Sequence, residues 1–226
     1  RIQYSPQSYA MYAQSMMTSD LLPVRPEDSA DRVLALMDEY KVRHLPLVNG
    51  DEFKGLIYED DLMEVDGEAP MAALEARPVA VDASAHVYDL VSAIVLAEVD
   101  VMPVVSEGQY LGVVKPEQVL RFLSAKAGWG HPGGVIVLEV AEGDLSLAEI
   151  ARLVESNDAK IVASTLATEP ESNLIQVTLK LNTPDIAPVL STFNRFGYAI
   201  KTVLHAPQVE QDMRNRYEAF MRYLQP

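Results

Sequence analysis

The sequence predicts an α+β chain: a duplicated β-α-β-β-α unit, then a separate β-α-β-β-α-β domain, then a terminal helix. Three observations carry this. Sliding the chain by 57 residues aligns two stretches without a gap, the stretch AKAGWGHPG over 125–133 breaks every periodicity, and apolar strand and helix patterns resume beyond it.

The duplication is visible position by position. Val24 meets Val81, Val33 meets Leu90, Met37 meets Ile94 and Val42 meets Val99. Leu45-Pro46-Leu47-Val48 falls over Met102-Pro103-Val104-Val105, Gly55-Leu56-Ile57 over Gly112-Val113-Val114, and Leu62 over Val119. In the first copy, Val33, Leu36, Met37 and Tyr40 recur at helical spacing behind an acidic, Ser-containing start. LPLV then reads as a strand ending at Asn49-Gly50-Asp51, a hairpin turn signal, and KGLIY as the returning strand. The second copy repeats the plan with VMPVV, SEGQ and YLGVV.

Beyond the break come VIVLEV, SLAEIARLVESN, AKIVASTLAT, NLIQVTLKLN, TPDIAPVLSTFNRFG and YAIKTVL. Their order is the ferredoxin-like split unit, two helices on one face of a four-stranded antiparallel sheet. Asp144 or Ser146 caps its first helix, Thr183 with Pro184 opens its second, and Gly197 stops it. The tail carries Val209, Met213, Tyr217, Phe220, Met221 and Leu224 at helical spacing, a face that needs a partner from its own domain or from a second chain. The expected organisation is an N-terminal segment 1–16, repeats over 17–68 and 69–125, a linker 126–133, the second domain 134–205 and a C-terminal helix 206–226.

Composition narrows the function. The 226 residues are 49% hydrophobic, enough for real cores, and contain no cysteine, which removes disulfides, thiolate nucleophiles and cysteine zinc sites. A net charge of −15 repels nucleic acid and anionic lipid. There is no apolar run long enough to cross a bilayer and no export signal, so the expected location is the cytoplasm. His44, His86, His131 and His205 are scattered without ligand spacing, and no nucleophile elbow or phosphate-cradling glycine loop occurs, so neither metal nor catalysis is expected.

At the aligned residues the sequence resembles the CBS family. VRPEDS, KVRHLPLV and GLIYEDDL in the first copy, with VDASAH, EVDVMPVV and GVVKPEQVL in the second, follow that family's order and spacing. Residues 134–205 resemble the ACT family in strand order, and the architecture is similar to the tandem-CBS, ACT-containing proteins grouped around acetoin utilisation. The resemblance implies two repeats packed through their sheets, frequent homodimers, and two clefts for adenosine-containing ligands such as AMP, ATP or S-adenosylmethionine.

In the family a terminal Asp accepts hydrogen bonds from the ribose hydroxyls, and a Thr three residues earlier contacts phosphate. The matching positions are Asp61 and Tyr58 in the first copy, Gln118 and Lys115 in the second. An acceptor-only carboxylate suits a vicinal diol. Lys115, Arg25 and Arg43 are candidate phosphate counter-charges or ordinary surface cations; Asp61 is also readable as an acid complementing a helix start. In the ACT-like part Leu145 falls where amino-acid-binding members carry a glycine. The expected function is a non-enzymatic sensor whose CBS pair binds an adenosyl ligand and whose ACT-like domain supports a dimer. The alternative is a dimeric scaffold with degenerate clefts.

Overall fold

The computed structural model describes residues 11–18, 20–168 and 172–204; His205 and the expected helix over 206–226 lie outside them. These residues form two compact units that divide between Phe122 and Leu123.

In the first unit α1 (Ala30–Tyr40), β1 (His44–Asn49), β2 (Glu52–Tyr58) and α2 (Glu59–Met63) make one copy. The other has β3 (Val81–Asp82), α3 (Val87–Ala97), β4 (Met102–Ser106), β5 (Gln109–Val114) and α4 (Pro116–Lys126). The 57-residue offset holds in the backbone. α1 maps onto α3 end for end, and each helix closes on a left-handed residue, Lys41 at φ 55° and Glu98 at φ 53°. The β1–β2 register shifts between Leu47 and Val48, the β4–β5 register between Val104 and Val105. The parallel edge pair Val81–Val104 repeats as the single bridge Val24–Leu47.

The strand order is β1-β2-β5-β4-β3. The two hairpins join at one antiparallel pair, Glu52 with Gln109, which are themselves equivalent positions. About this pair the hydrogen bonds are symmetric: Phe53 N–H donates to Gly108 O at 3.0 Å, Tyr110 N–H to Asp51 O at 2.8 Å. A second tie is exchanged. The segment leading into the second copy bridges the first copy's β2 at Leu56–Arg77, and the segment leading into the first bridges β5 at Thr18–Val113. Val33, Met37, Leu45 and Leu56 are buried, as are Leu90, Met102, Val104 and Val113. The repeating plan begins earlier than residue 17: a 3₁₀ turn at Ala13–Ser15 precedes the first copy as Met71–Ala73 precedes the second.

The second unit has β6 (Val135–Ala141), α5 (Leu147–Glu155), β7 (Ile161–Thr168), β8 (Leu174–Leu181), α6 (Ala187–Arg195) and β9 (Ala199–Leu204). The antiparallel order β7-β8-β6-β9 is the ferredoxin-like arrangement. Burial alternates along β6 and β8, and their inward residues pack with Ile150, Leu153, Val189 and Phe193 of the helices. Ser146 caps α5, its hydroxyl accepting from Glu149 N–H at 3.2 Å. Thr183 does not cap α6, which starts four residues later at Ala187; its hydroxyl is used in a local turn, accepting from Asp185 N–H at 3.2 Å. Leu145 packs against this core.

The exchanged tie explains two glycines. Gly55 has φ 145°, and a Cβ there would lie 2.7 Å from Ala76 Cβ and 2.9 Å from Arg77 O. Gly112, at φ 158°, faces Thr18 O at 3.1 Å in the same way. Gly55→Ala is expected to cost about 1–3 kcal/mol, read as a lowered urea midpoint. Gly143→Ala, where nothing lies within 4 Å, is expected to leave the midpoint unchanged.

Candidate functional site

β2 ends at Tyr58 and α2 starts at Glu59, which puts Asp61 in the helix's first turn. Alongside runs the segment Ala76–Pro78, held by reciprocal backbone bonds: Leu56 N–H to Arg77 O at 2.8 Å, Arg77 N–H to Leu56 O at 3.0 Å. Between them opens a cleft of about 510 Å³ lined by Asp61, Glu64, Leu74, Glu75, Arg77 and neighbouring residues.

Arg77 Nη2 donates to Asp61 Oδ1 at 2.8 Å and Oδ2 at 3.1 Å, and its guanidinium lies 3.7 Å from the centre of the Tyr58 ring. The Tyr58 ring meets the His44 ring edge-on, with centroids 4.4 Å apart. His44 is 5% exposed, and Asp100 N–H donates to its Nδ1 at 3.3 Å. The Asp100 carboxylate in turn accepts from Arg43 N–H at 2.9 Å and from Arg43 Nε and Nη2 at 3.2 Å each. Arg43 and Asp100 occupy equivalent positions of the two copies. The result is a chain of contacts from Arg43 through Asp100, His44, Tyr58 and Arg77 to Asp61.

Of the residues singled out in the sequence, Tyr58 and Asp61 are brought together around Arg77, and Arg43 reaches them through Asp100 and His44. Lys115 lines a second cleft of about 410 Å³ with Tyr40, Val42, Asp100 and Glu117. Gln118 is turned to its own helix, its Oε1 accepting from Lys115 N–H at 2.9 Å as one half of a capping box at the start of α4. Arg25 clips the β1–β2 turn, donating from Nη1 to Gly50 O at 2.7 Å, and lines neither of these clefts. Sequence reading missed Arg77 and Asp100. The 57-residue offset gives Arg77 no counterpart, since it falls on Asp20. Among the described residues no cluster of three or more His, Asp and Glu side chains is placed to hold a metal, and no helix is long and apolar enough to cross a membrane.

Burial lowers the His44 pKa below its ordinary 6.5, and the opposing pull of Asp100 does not restore it. Burial pushes the Asp100 carboxyl up, but the bonds and charge of Arg43 outweigh this and hold it below the usual value of 3.8. Both shifts act in one direction. The unfolded chain takes up a proton at His44 before the folded one does, so stability is full above pH 6.5 and falls as pH drops toward the folded pKa. The Asp100 contribution is lost further down, below 3.8. Urea midpoints between about pH 7.5 and 5 are expected to fall in the wild type and to fall less steeply in His44→Gln.

The CBS domain family model matches residues 13–68. A CBS domain pair/ACT domain protein from Thermotoga maritima is similar over 51% of this chain and 98% of its own, at 18% identity and TM-score 0.47. A protein assigned to acetoin utilization from Vibrio cholerae is similar over 51% and 92%, at 16% identity and TM-score 0.45. CBSX2, solved in complex with AMP, is similar over 50% and 95%, at 23% identity and TM-score 0.44. The CBS match is confined to residues 13–68; the stretch that follows repeats the same backbone plan at a 57-residue offset, and a ferredoxin-like domain comes after it in the chain.

Proposed function

We propose that the chain is a regulatory binding module whose Asp61 cleft takes the ribose of an adenosyl ligand, AMP, ATP or S-adenosylmethionine, and which acts in the cytoplasm without catalysing a reaction. The observation that carries this is the carboxylate itself. Asp61 opens α2 at the wall of the cleft, with a side chain 38% exposed, and two oxygens suited to a vicinal diol. Its partner Arg77 is 49% exposed. An ion pair this open contributes only about 0.2–1 kcal/mol, so a ligand can replace it. The second cleft has no carboxylate at the corresponding position, and Gln118 is engaged in capping.

An adenosyl ligand at 100 times its Kd is expected to add about 2.7 kcal/mol of stability, and each kcal/mol raises Tm by roughly 2–4 °C at this size. Thermal melts with AMP, ATP and S-adenosylmethionine read this directly. Asp61→Ala is expected to abolish most of the shift and change the ligand-free Tm little, whereas Gln118→Ala is expected to keep the shift. A wild type that no adenosyl ligand shifts, or an Asp61→Ala protein that keeps the shift, overturns the sensor reading.

One observation favours the scaffold alternative. On α3 the outward residues Tyr88, Val91, Val95 and Leu96 are 76%, 38%, 67% and 84% exposed. The equivalent positions on α1 are Asp31, Leu34, Asp38 and Glu39. On a chain of net charge −15 an uncharged stripe is where a second copy approaches with least repulsion, so the proposed partner is the chain itself. Light scattering is expected to give a dimer, reduced to monomer by Val95→Glu with Leu96→Glu; a wild-type mass of one chain at micromolar concentration overturns it.

A further inference from the structure

We infer that Arg77 is both the plug of the Asp61 cleft and its phosphate-recognising residue, so that the cleft selects a nucleoside monophosphate over the bare nucleoside, the triphosphate and S-adenosylmethionine. This rests on the adenosyl reading of the cleft.

The oxygens a ribose diol requires are the ones Arg77 Nη2 already occupies, at 2.8 and 3.1 Å. A ligand therefore opens that pair. The root of the Arg77 side chain stays at the cleft wall. The Arg77 backbone is fixed on both sides by the Leu56 bonds, and the stacking of its guanidinium on Tyr58 needs no part of Asp61. The displaced fork stays at the cleft wall beside the bound ribose, where a 5′-phosphate supplies the acceptor it has lost. Guanidinium and phosphate match in charge and in paired hydrogen bonds.

The lining sets the number of phosphates. Among the described residues Arg77 is the one cation lining this cleft, against the carboxylates Asp61, Glu64 and Glu75. A single phosphate satisfies the freed fork; additional phosphates confront Glu64 and Glu75 without a counter-charge. Adenosine breaks the pair and returns nothing to Arg77. S-adenosylmethionine has one carboxylate to offer the guanidinium, but its sulfonium stands nearer the ribose and its ammonium beside that carboxylate, so the group brought to Arg77 is net cationic where AMP's is anionic.

Titration calorimetry on the full chain with AMP, adenosine, ATP and S-adenosylmethionine tests this in the wild type, Arg77→Met, Arg77→Lys and Asp61→Ala. In the wild type AMP is expected to bind about tenfold tighter than each of the others, the scale of one charge-assisted contact. Arg77→Met keeps the apolar stem and removes the fork. It is expected to bind adenosine more tightly than the wild type does, because the plug is gone, and to bring AMP within about twofold of adenosine. Arg77→Lys is expected to retain part of the AMP preference. An AMP-to-adenosine ratio unchanged in Arg77→Met, adenosine binding weakened by that change, or ATP binding more tightly than AMP in the wild type overturns the role of Arg77 while leaving the adenosyl cleft in place. If none of the four ligands binds the wild type, or if Asp61→Ala binds as the wild type does, the cleft reading itself falls and this inference with it.

Discussion

Each copy of the repeat is completed by the segment that leads into the other. Thr18 bridges β5 of the second copy and Arg77 bridges β2 of the first, while the hairpins themselves meet at the single pair Glu52–Gln109. A two-stranded hairpin with one sheet neighbour is marginal by itself. The exchange gives β2 and β5 a second backbone partner at the ends remote from their junction, Leu56 and Val113, so neither copy is whole without the other. Gly55 and Gly112 follow from it, because the incoming backbone runs where a Cβ would be. So does the cleft: the segment that bridges to β2 is the segment that delivers Arg77 to Asp61.

Identical backbone plans carry different chemistry at the same positions. Where the first copy has His44, Tyr58 and Asp61, the second has Val101, Lys115 and Gln118. The first set builds a chain of side-chain contacts, with an edge-on His44–Tyr58 pair and a guanidinium stacked on the phenol ring, whereas in the second Gln118 turns back to the Lys115 N–H. The other end of the first set's chain is anchored by the Arg43–Asp100 pair, which ties equivalent points of the two copies together. The buried member is the neutral imidazole, and the ionised groups lie where water reaches them. That distribution follows the desolvation penalty, which is small for an uncharged ring with a bonded nitrogen and large for a buried ion.

What the sequence revealed and what it concealed divide by range. The 57-residue offset was readable because packing demands recur: Val33 and Leu90, or Met37 and Ile94, fill the same buried places in each copy. The ferredoxin-like order was readable from period alone, since β6 and β8 alternate strictly between buried and half-buried or exposed residues. Asp61 was visible as a helix-start acid in a familiar spacing. Its partner was not, because Arg77 comes from a segment 16 residues away whose position depends on the exchanged pairing. Asp100 escaped for the same reason: its partner Arg43 lies 57 residues away, across the junction of the two copies. The start of α6 was misjudged because Thr183 fits either a helix cap or a local turn, and the turn with Asp185 is the one formed.

A ligand shifts a protein only through contacts that differ between its states, and under the proposed binding the contact that would differ is confined to the Asp61–Arg77 pair. The helix start that holds Asp61 and the bridge to Leu56 that holds the Arg77 backbone are both fixed by main-chain bonds. What is free to change is the pairing of two half-exposed side chains, the kind of interaction that contributes least to stability and is most readily exchanged. Yet Arg77 also stacks on Tyr58, Tyr58 meets His44, and His44 is bonded to Asp100, which lines the second cleft. A weak pair at the surface is thereby joined by successive contacts to one buried group, His44, and through it to Asp100. Under the proposed binding, opening this pair would leave the main-chain bonds of both segments in place and change the surroundings of Tyr58, the first group behind it.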